Sequence, residues 1–336
     1  MTEQVQLIHG DAVFEQLANE WDNLARRSQT NTPFQRLAYQ KAWWQHLHPH
    51  SATLHTIAVR ANNGDLLGIG CFYIYNEIVY FNGCVEETDY LDLITGAATA
   101  ETVWTAVLDT LLTPDFPAWH TLDLCNVPAT SSSRLIVPRL AAAHGLQFAE
   151  SVHEVCPIIT LPDNFETYLE MLDSKQRREI RRKLRRAQGA DAQLIIVGPN
   201  DDLEAAVNDF LDLLAKSTFE KRDWLHDGRR AVFHATAQAA QADGSLLLLF
   251  MEVNGRKAST LFNFDYNNAV LVYNSGLDPA AFGQLSLGEV LTAKAIEWAI
   301  DNGRTAFDFL RGDEAYKYRF GAQDTMIYKL HLAKNH

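Results

Sequence analysis

Residues 54–81 read LHTIAVRANNGDLLGIGCFYIYNEIVYF, and residues 246–274 read LLLLFMEVNGRKASTLFNFDYNNAVLVYN. Each stretch holds three runs rich in β-branched and aromatic residues. In each, the first two runs are joined by Asn-Gly, at Asn63-Gly64 and Asn254-Gly255. That dipeptide tolerates φ > 0 at both central positions, as a tight hairpin requires. The likeness continues downstream. An apolar helical stretch follows, near 99–112 and near 287–302, then a short strand with a central aspartate, Asp123 or Asp308. The hairpin turns lie 191 residues apart and the aspartates 185. Two landmarks in the same order at nearly the same offset predict tandem βββαβ domains.

Helical segments precede each sheet. Val13, Leu17, Trp21 and Leu24 recur at spacings of three and four, giving a helix over 11–27 with one apolar face. A second helix is expected over 35–47 after Pro33. In the other half 165–172, 174–188, 202–219 and 228–242 read as helices, and between the halves 131–144 reads as helix and 146–159 as strand. Pro157 and Pro162 interrupt the pattern there, so the domains are read as 1–156 and 157–336.

The 336 residues carry 29 basic and 42 acidic side chains, net −13. Such a chain is a poor general binder of nucleic acid, whose phosphates attract Lys and Arg. Residues 174–186, SKQRREIRRKLRR, are the exception: eight basic and one acidic, net +7 on a body of −20. Like charges on neighbouring helical turns repel. Arg181 and Arg185 are therefore expected to face solvent or a cleft and to meet an anionic partner: a phosphorylated substrate, a lipid headgroup at a membrane surface, or RNA. A solvated amphipathic face is the plainer alternative. No apolar run approaches the length of a membrane span, and no secretory signal is visible at the N-terminus, so a cytoplasmic location is expected. Cys71, Cys84, Cys125 and Cys156 show no CxxC pair and no zinc spacing; buried free thiols in a reducing compartment, and no metal, are expected.

Chemistry concentrates near the C-terminus. Asp308 stands in a strand, where it is expected to fix the loop that follows. Within nine residues come Arg311, Gly312, Asp313, Glu314, Tyr316, Lys317 and Arg319. Gly312 suits a sharp turn, and Asp313 suits the N-cap of a short helix. Loops at strand ends commonly carry function. Upstream, Gly283, Ser286 and Gly288 lead into a helix whose N-terminal N–H groups suit a phosphate. Asp313, Glu314, Tyr316 and Lys317 are expected to line one cleft with that helix start.

Arg177–Arg186, Tyr273–Pro279, Leu285–Gly288 and above all Phe307–Lys317 resemble the second domain of acetyltransferases linked to bacterial cellulose and exopolysaccharide biosynthesis. Those belong to the GCN5-related N-acetyltransferase (GNAT) superfamily and are relatives of the Fem aminoacyltransferases. Trp21, Pro33-Phe34 and Trp43-Trp44 resemble the same family's N-terminal domain. The resemblance implies an α+β fold of tandem GNAT-like domains, each a mixed sheet flanked by helices. It also implies acyl transfer from an acyl-CoA, such as acetyl-CoA, to an amine or hydroxyl of a sugar or cell-envelope precursor. By analogy Ser275, Ser286, Leu287 and Gly288 bind the donor, and Ser286 stands where the usual GNAT loop has its first glycine. Arg181, Arg185 and Arg311 then hold the substrate. Thioester aminolysis needs a base and an acid at the acyl carbon. Asp313 or Glu314 is the candidate base and Tyr316 the acid, while Lys317 pins the carboxylates or binds phosphate. Aminoacyl-tRNA as donor, and a non-catalytic binding protein on the same fold, remain as alternative readings.

Overall fold

The computed structural model describes residues 3–84 and 87–335. In chain order its elements are β1 (Gln4–His9), α1 (Val13–Gln16), α2 (Ala18–Ala25), α3 (Leu37–Leu47), β2 (Thr53–Arg60), β3 (Leu66–Tyr75), β4 (Ile78–Phe81), β5 (Ile94–Thr95), α4 (Ala100–Leu111), β6 (Thr121–Pro128), α5 (Ser133–Ala143) and β7 (Gln147–Thr160). There follow α6 (Phe165–Met171), α7 (Ser174–Gly189), β8 (Gln193–Ile196), α8 (Leu203–Ser217), α9 (Phe219–Trp224), α10 (Asp227–Asp243), β9 (Leu246–Val253), β10 (Arg256–Tyr266), β11 (Ala269–Leu277), α11 (Leu287–Asp301), β12 (Ala306–Asp308), α12 (Ala315–Arg319) and β13 (Gln323–Ala333). The chain forms two compact units, residues 1–154 with 326–336, and residues 155–325.

In the first unit the strands run β1-β2-β3-β4-β6-β13. All pairs are antiparallel except β4 with β6, which run parallel from Ile78↔Thr121 to Tyr80↔Asp123. In the second the order is β7-β12-β11-β10-β9-β8, parallel only from Ala269↔Ala306 to Leu271↔Asp308. Each unit is a mixed sheet flanked by helices, and each contains the βββαβ order read from the sequence. The aspartates serving as landmarks occupy the same register position, the third residue of a three-residue parallel pairing. Reading the second domain through residue 336 differs from this division: Ile327–Ala333 of β13 pair with β6, so residues 326–336 fall in the first unit.

The hairpin turns differ. Asn254 and Gly255 both have positive φ, 53° and 74°, as a two-residue turn demands. At the other, a longer loop separates β2 from β3. Only Gly64 is left-handed (φ 91°), and the Asn63 side chain accepts from Asp65 N–H at 3.1 Å. The helix expected over 11–27 breaks at Leu17 (φ −101°, ψ 5°), which is buried along with Val13, Phe14 and Trp21.

Expecting four free thiols is overturned. Cys84 and Cys125 form a disulfide, with Cα atoms 6.0 Å apart; Cys71 and Cys156 are buried thiols outside any disulfide. The two bonded cysteines are 41 residues apart, and only the packing of the β4–β5 loop against β6 brings them together.

Candidate functional site

β11 and β12 pair over three residues and then diverge. β11 continues to Leu277, and Tyr273 is skipped in the pairing register with β10, between Phe262↔Asn274 and Asn263↔Val272. A bulge re-aims a strand, and the diverging edge leaves room beside it. A cavity of about 260 Å³ lies here, walled by Leu261, Gly276, Leu277, Leu291 and Gly288, with Ser217, Lys221, Thr260, Ser275, Thr292, Glu289 and Tyr316 as its polar groups. Gly276 is a steric necessity: a Cβ there would stand 2.5 Å from Leu214 N, so the close approach of α8 to β11 depends on it.

Main-chain groups of the open edge are met by side chains of the α8–α9 segment. Ser217 Oγ accepts from Leu277 N–H at 2.8 Å, and Lys221 Nζ donates to Ser275 O at 2.6 Å. Lys221 is mostly buried, which pushes its ammonium below the ordinary lysine range, partly offset by the charge of Glu314. Nothing in the sequence singled it out. It sits in the mixed-charge run Glu220–Asp223, which reads as a solvated turn of helix.

The loop after β12 is built as expected around Asp308, whose Oδ1 accepts from Leu310 N–H at 2.8 Å and holds Leu310 at φ 56°. Lys317 is 2% exposed. Its Nζ donates to Leu310 O (3.3 Å), Arg311 O (2.6 Å) and Gly312 O (2.9 Å) and pairs with Glu314 Oε2 (2.8 Å). A buried ammonium needs such partners; this one pins the loop from within and does not line the cavity. Gly312 takes φ 106°, and a Cβ there would lie 2.5 Å from Glu314 Oε2. Asp313 is exposed and caps nothing; the N-cap of α12 is Glu314, without a side-chain cap bond. The expected four-residue cleft is therefore reduced. Tyr316 shares the cavity wall with Gly288, while Asp313, Glu314 and Lys317 are not part of it. Burial first, and then the charge of Glu314, raise the Tyr316 phenol well above its ordinary value, so it keeps its proton. Its ring packs edge-on against Phe309 at 5.9 Å.

Of the expected donor residues, Ser275 and Gly288 reach the cavity. Ser286 is left-handed (φ 55°) and precedes α11 without a side-chain cap, so first-turn N–H groups of α11 are left for another acceptor. Leu287 is buried and its carbonyl accepts from Ser259 Oγ at 3.0 Å. Among the expected substrate arginines, Arg311 is half-buried and lends its carbonyl to Lys317. Arg181 pairs with Glu166, which corrects the expectation that it lacks a carboxylate partner; Arg182 pairs with Glu179. Arg185 is exposed in a separate groove with Lys294 and Trp298. Arg186 donates to Gln284 O at 2.7 Å, which sets the basic helix beside the loop before α11. Among the described residues no group of three or more His, Cys, Asp or Glu is placed to hold a metal ion.

Residues 174–318 match the acetyltransferase (GNAT) domain family. Both units are mixed sheets flanked by helices, and the fold of the chain is similar to that of tandem GNAT proteins. Among solved structures the chain is similar to FemX, with TM-score 0.67, 11% identity and 96% of each chain covered. It is similar to the C-terminal domain of a putative lysylphosphatidylglycerol synthetase from Agrobacterium fabrum (TM-score 0.61, 8% identity, 96% of this chain and 92% of that one). It also resembles a tandem GNAT protein from the clavulanic acid biosynthesis pathway (TM-score 0.50, 12% identity, 99% and 100% covered). At these identities the likeness is one of fold. No curated protein matches the sequence. No helix of the described residues is long and apolar enough to cross a membrane.

Proposed function

We propose that the second unit is an acyltransferase that moves an acyl group from acyl-CoA to an amine or hydroxyl of a sugar or cell-envelope precursor, of the exopolysaccharide-biosynthesis type. The observation that carries this is the cavity where β11 leaves β12, whose lining includes both a protonated tyrosine and the uncapped start of α11. The helix start offers N–H groups and a positive dipole end to a pyrophosphate. The acceptor nitrogen or oxygen adds to the thioester carbon, its proton passing to Glu314, directly or through water. The C–S bond breaks and Tyr316 protonates the departing thiolate. Asp313, exposed beside Glu314, is the alternative base. Lys317 acts by holding the 310–312 carbonyls, and Arg185 and Arg311 are assigned to the anionic substrate. Arg181, paired with Glu166, is kept as the weaker member of that set.

A second reading, aminoacyl-tRNA as donor, is favoured by the basic helix. Its Lys175, Arg177, Arg178 and Arg185 show no ion pair among the described residues, and the likeness to FemX agrees with it. Both donors are cytoplasmic molecules, and a cytoplasmic location goes with them. The Cys84–Cys125 bond points the other way, and the mass of the protein isolated under alkylating, non-reducing conditions decides it. A thermal-shift panel tests the donor. Acetyl-CoA at a hundred times its Kd adds about 2.7 kcal/mol of stability, and thiol release then follows turnover on amino sugars. Stabilisation by tRNA alone, falling steeply with salt, selects the second reading. No response to any donor leaves a binding protein.

A further inference from the structure

Acyl transfer develops negative charge on the carbonyl oxygen, and a site must supply a hydrogen-bond donor where that charge forms. The open edge of β11 has little to give. Ser275 N–H donates to Asn274 Oδ1 at 2.9 Å and Leu277 N–H to Ser217 Oγ at 2.8 Å. The cavity hydroxyls are engaged as well: Ser217 with Leu213 O (2.9 Å), Thr260 with Leu249 O (2.9 Å) and Thr292 with Gly288 O (3.0 Å). Among the described residues of the cavity, the groups with a hydrogen still to offer are the first-turn N–H groups of α11, assigned above to a pyrophosphate, and Tyr316, the Ser275 hydroxyl and Lys221. Lys221 alone carries a positive charge. One of its three N–H bonds goes to Ser275 O, and a second reaches Asn274 Oδ1 at the limiting distance of 3.5 Å. Its third is free to point along the cavity.

We propose that Lys221 donates to the carbonyl oxygen of the bound acyl donor and stabilises the oxyanion formed when the acceptor adds. As the new N–C or O–C bond forms, the carbonyl π electrons move to the oxygen beside Lys221. They return as the bond to the leaving group breaks, Tyr316 supplies its proton, and Glu314 keeps the acceptor's. The lysine is not consumed, and it serves a thioester and an aminoacyl ester equally. The role rests on the acyl-transfer reading. It explains why a cation is held within the cavity by a main-chain carbonyl and a side-chain amide oxygen when solvent is close by.

The test compares Lys221→Met and Lys221→Arg with wild type, measuring kcat, donor Kd by thermal shift, and the pH profile of kcat. Lys221→Met is expected to lower kcat about 100-fold, with donor Kd changed less than threefold. Lys221→Arg keeps the charge and recovers part of the rate. Groups facing Lys221 are Glu314 before α12, Glu289 on α11 and Tyr316 on α12. In wild type the alkaline limb of the profile reports loss of the ammonium proton. In Lys221→Arg that limb moves to higher pH, while a packing defect alone leaves it where it was. Wild-type turnover with Lys221→Met within threefold of it, or an unmoved limb in Lys221→Arg, overturns the lysine's role. Wild type inert with every acyl donor overturns the acyl-transfer reading, and this role with it.

Discussion

The two units open the same way and finish differently. In each, the third sheet strand runs parallel to the strand after the helix for three residues, ending at Asp123 or Asp308. Beyond that point the second unit has an open strand edge and a cavity with Lys221 and Tyr316. In the first, β4 stops at Phe81 and the space is closed. Asn82 Nδ2 donates to Gln40 O (2.9 Å) and Gln40 Oε1 (2.8 Å), Asn126 Nδ2 donates to Thr88 O (2.6 Å), and Leu91 N–H donates to Asn126 O (3.0 Å). The Cys84–Cys125 bond then ties the closing loop to β6. Nearby, the buried carboxylate of Asp92 accepts from Thr30, Ser131 and Ser133 hydroxyls at 2.9, 2.5 and 2.5 Å. The same framework thus yields a ligand-sized opening or a cross-linked polar core, depending on the segment between strand and helix.

The largest test of this contrast is the cross-link. Replacing Cys84 by Ser, or adding reductant, is expected to cost the first unit about 4 kcal/mol, from loop closure over 41 residues. Chemical denaturation with and without reductant measures it. Donor stabilisation of the second unit should persist, and its loss would show that the closed core is needed for the open one. Next comes Gly276→Ala. The new methyl meets the backbone of Leu213 and Leu214, so α8 must shift, at about 3 kcal/mol. If stability is unchanged, α8 is more loosely seated on β11 than described.

A third test uses pH. His55 lies between β1 and β3 with its Nδ1 2.8 Å from Nδ1 of His9, and burial first, then His9, lowers its pKa to about 4. A histidine depressed below its unfolded value takes up more protons when unfolded. Stability is therefore full above pH 6.5 and is lost as pH falls toward 4. At pH 4.5 the loss is roughly 2 kcal/mol. His55→Gln should flatten that limb, and a melting curve series from pH 7 to 4.5 that is unchanged in the variant removes His55 as its cause. The smallest effect separates the carboxylates. Asp313→Asn should change kcat less than twofold, whereas Glu314→Gln, beside Lys317 and within reach of Tyr316's charge environment, should lower it at least tenfold. Equal effects would return Asp313 to the catalytic set.

The tandem plan was legible because it is written in short-range signals: Asn-Gly turns, strand-length runs, and an aspartate at a fixed place after an apolar helix. Asp308's role was legible for the same reason, since it acts two residues away on Leu310 N–H. Lys317 was legible as a partner of the carboxylates, and it pairs with Glu314 three residues away, but its burial was not; three carbonyls converge on it only once the loop after β12 has closed. Lys221 escaped notice because its partners, Asn274 and Ser275, lie more than fifty residues away on β11.

By itself, then, the sequence determined two βββαβ units, the Asn254-Gly255 turn, the role of Asp308 in its loop, and a basic helix ahead of the second unit. Those follow from backbone preferences and periodicity acting over a few residues. Tertiary structure decided which charges are buried, which strand edge stays open, and which two of four cysteines bond. Desolvation and convergence of main-chain groups arise only when distant segments pack, so the chemistry of Lys221, Lys317 and Tyr316 belongs to the folded molecule and to no stretch of its sequence.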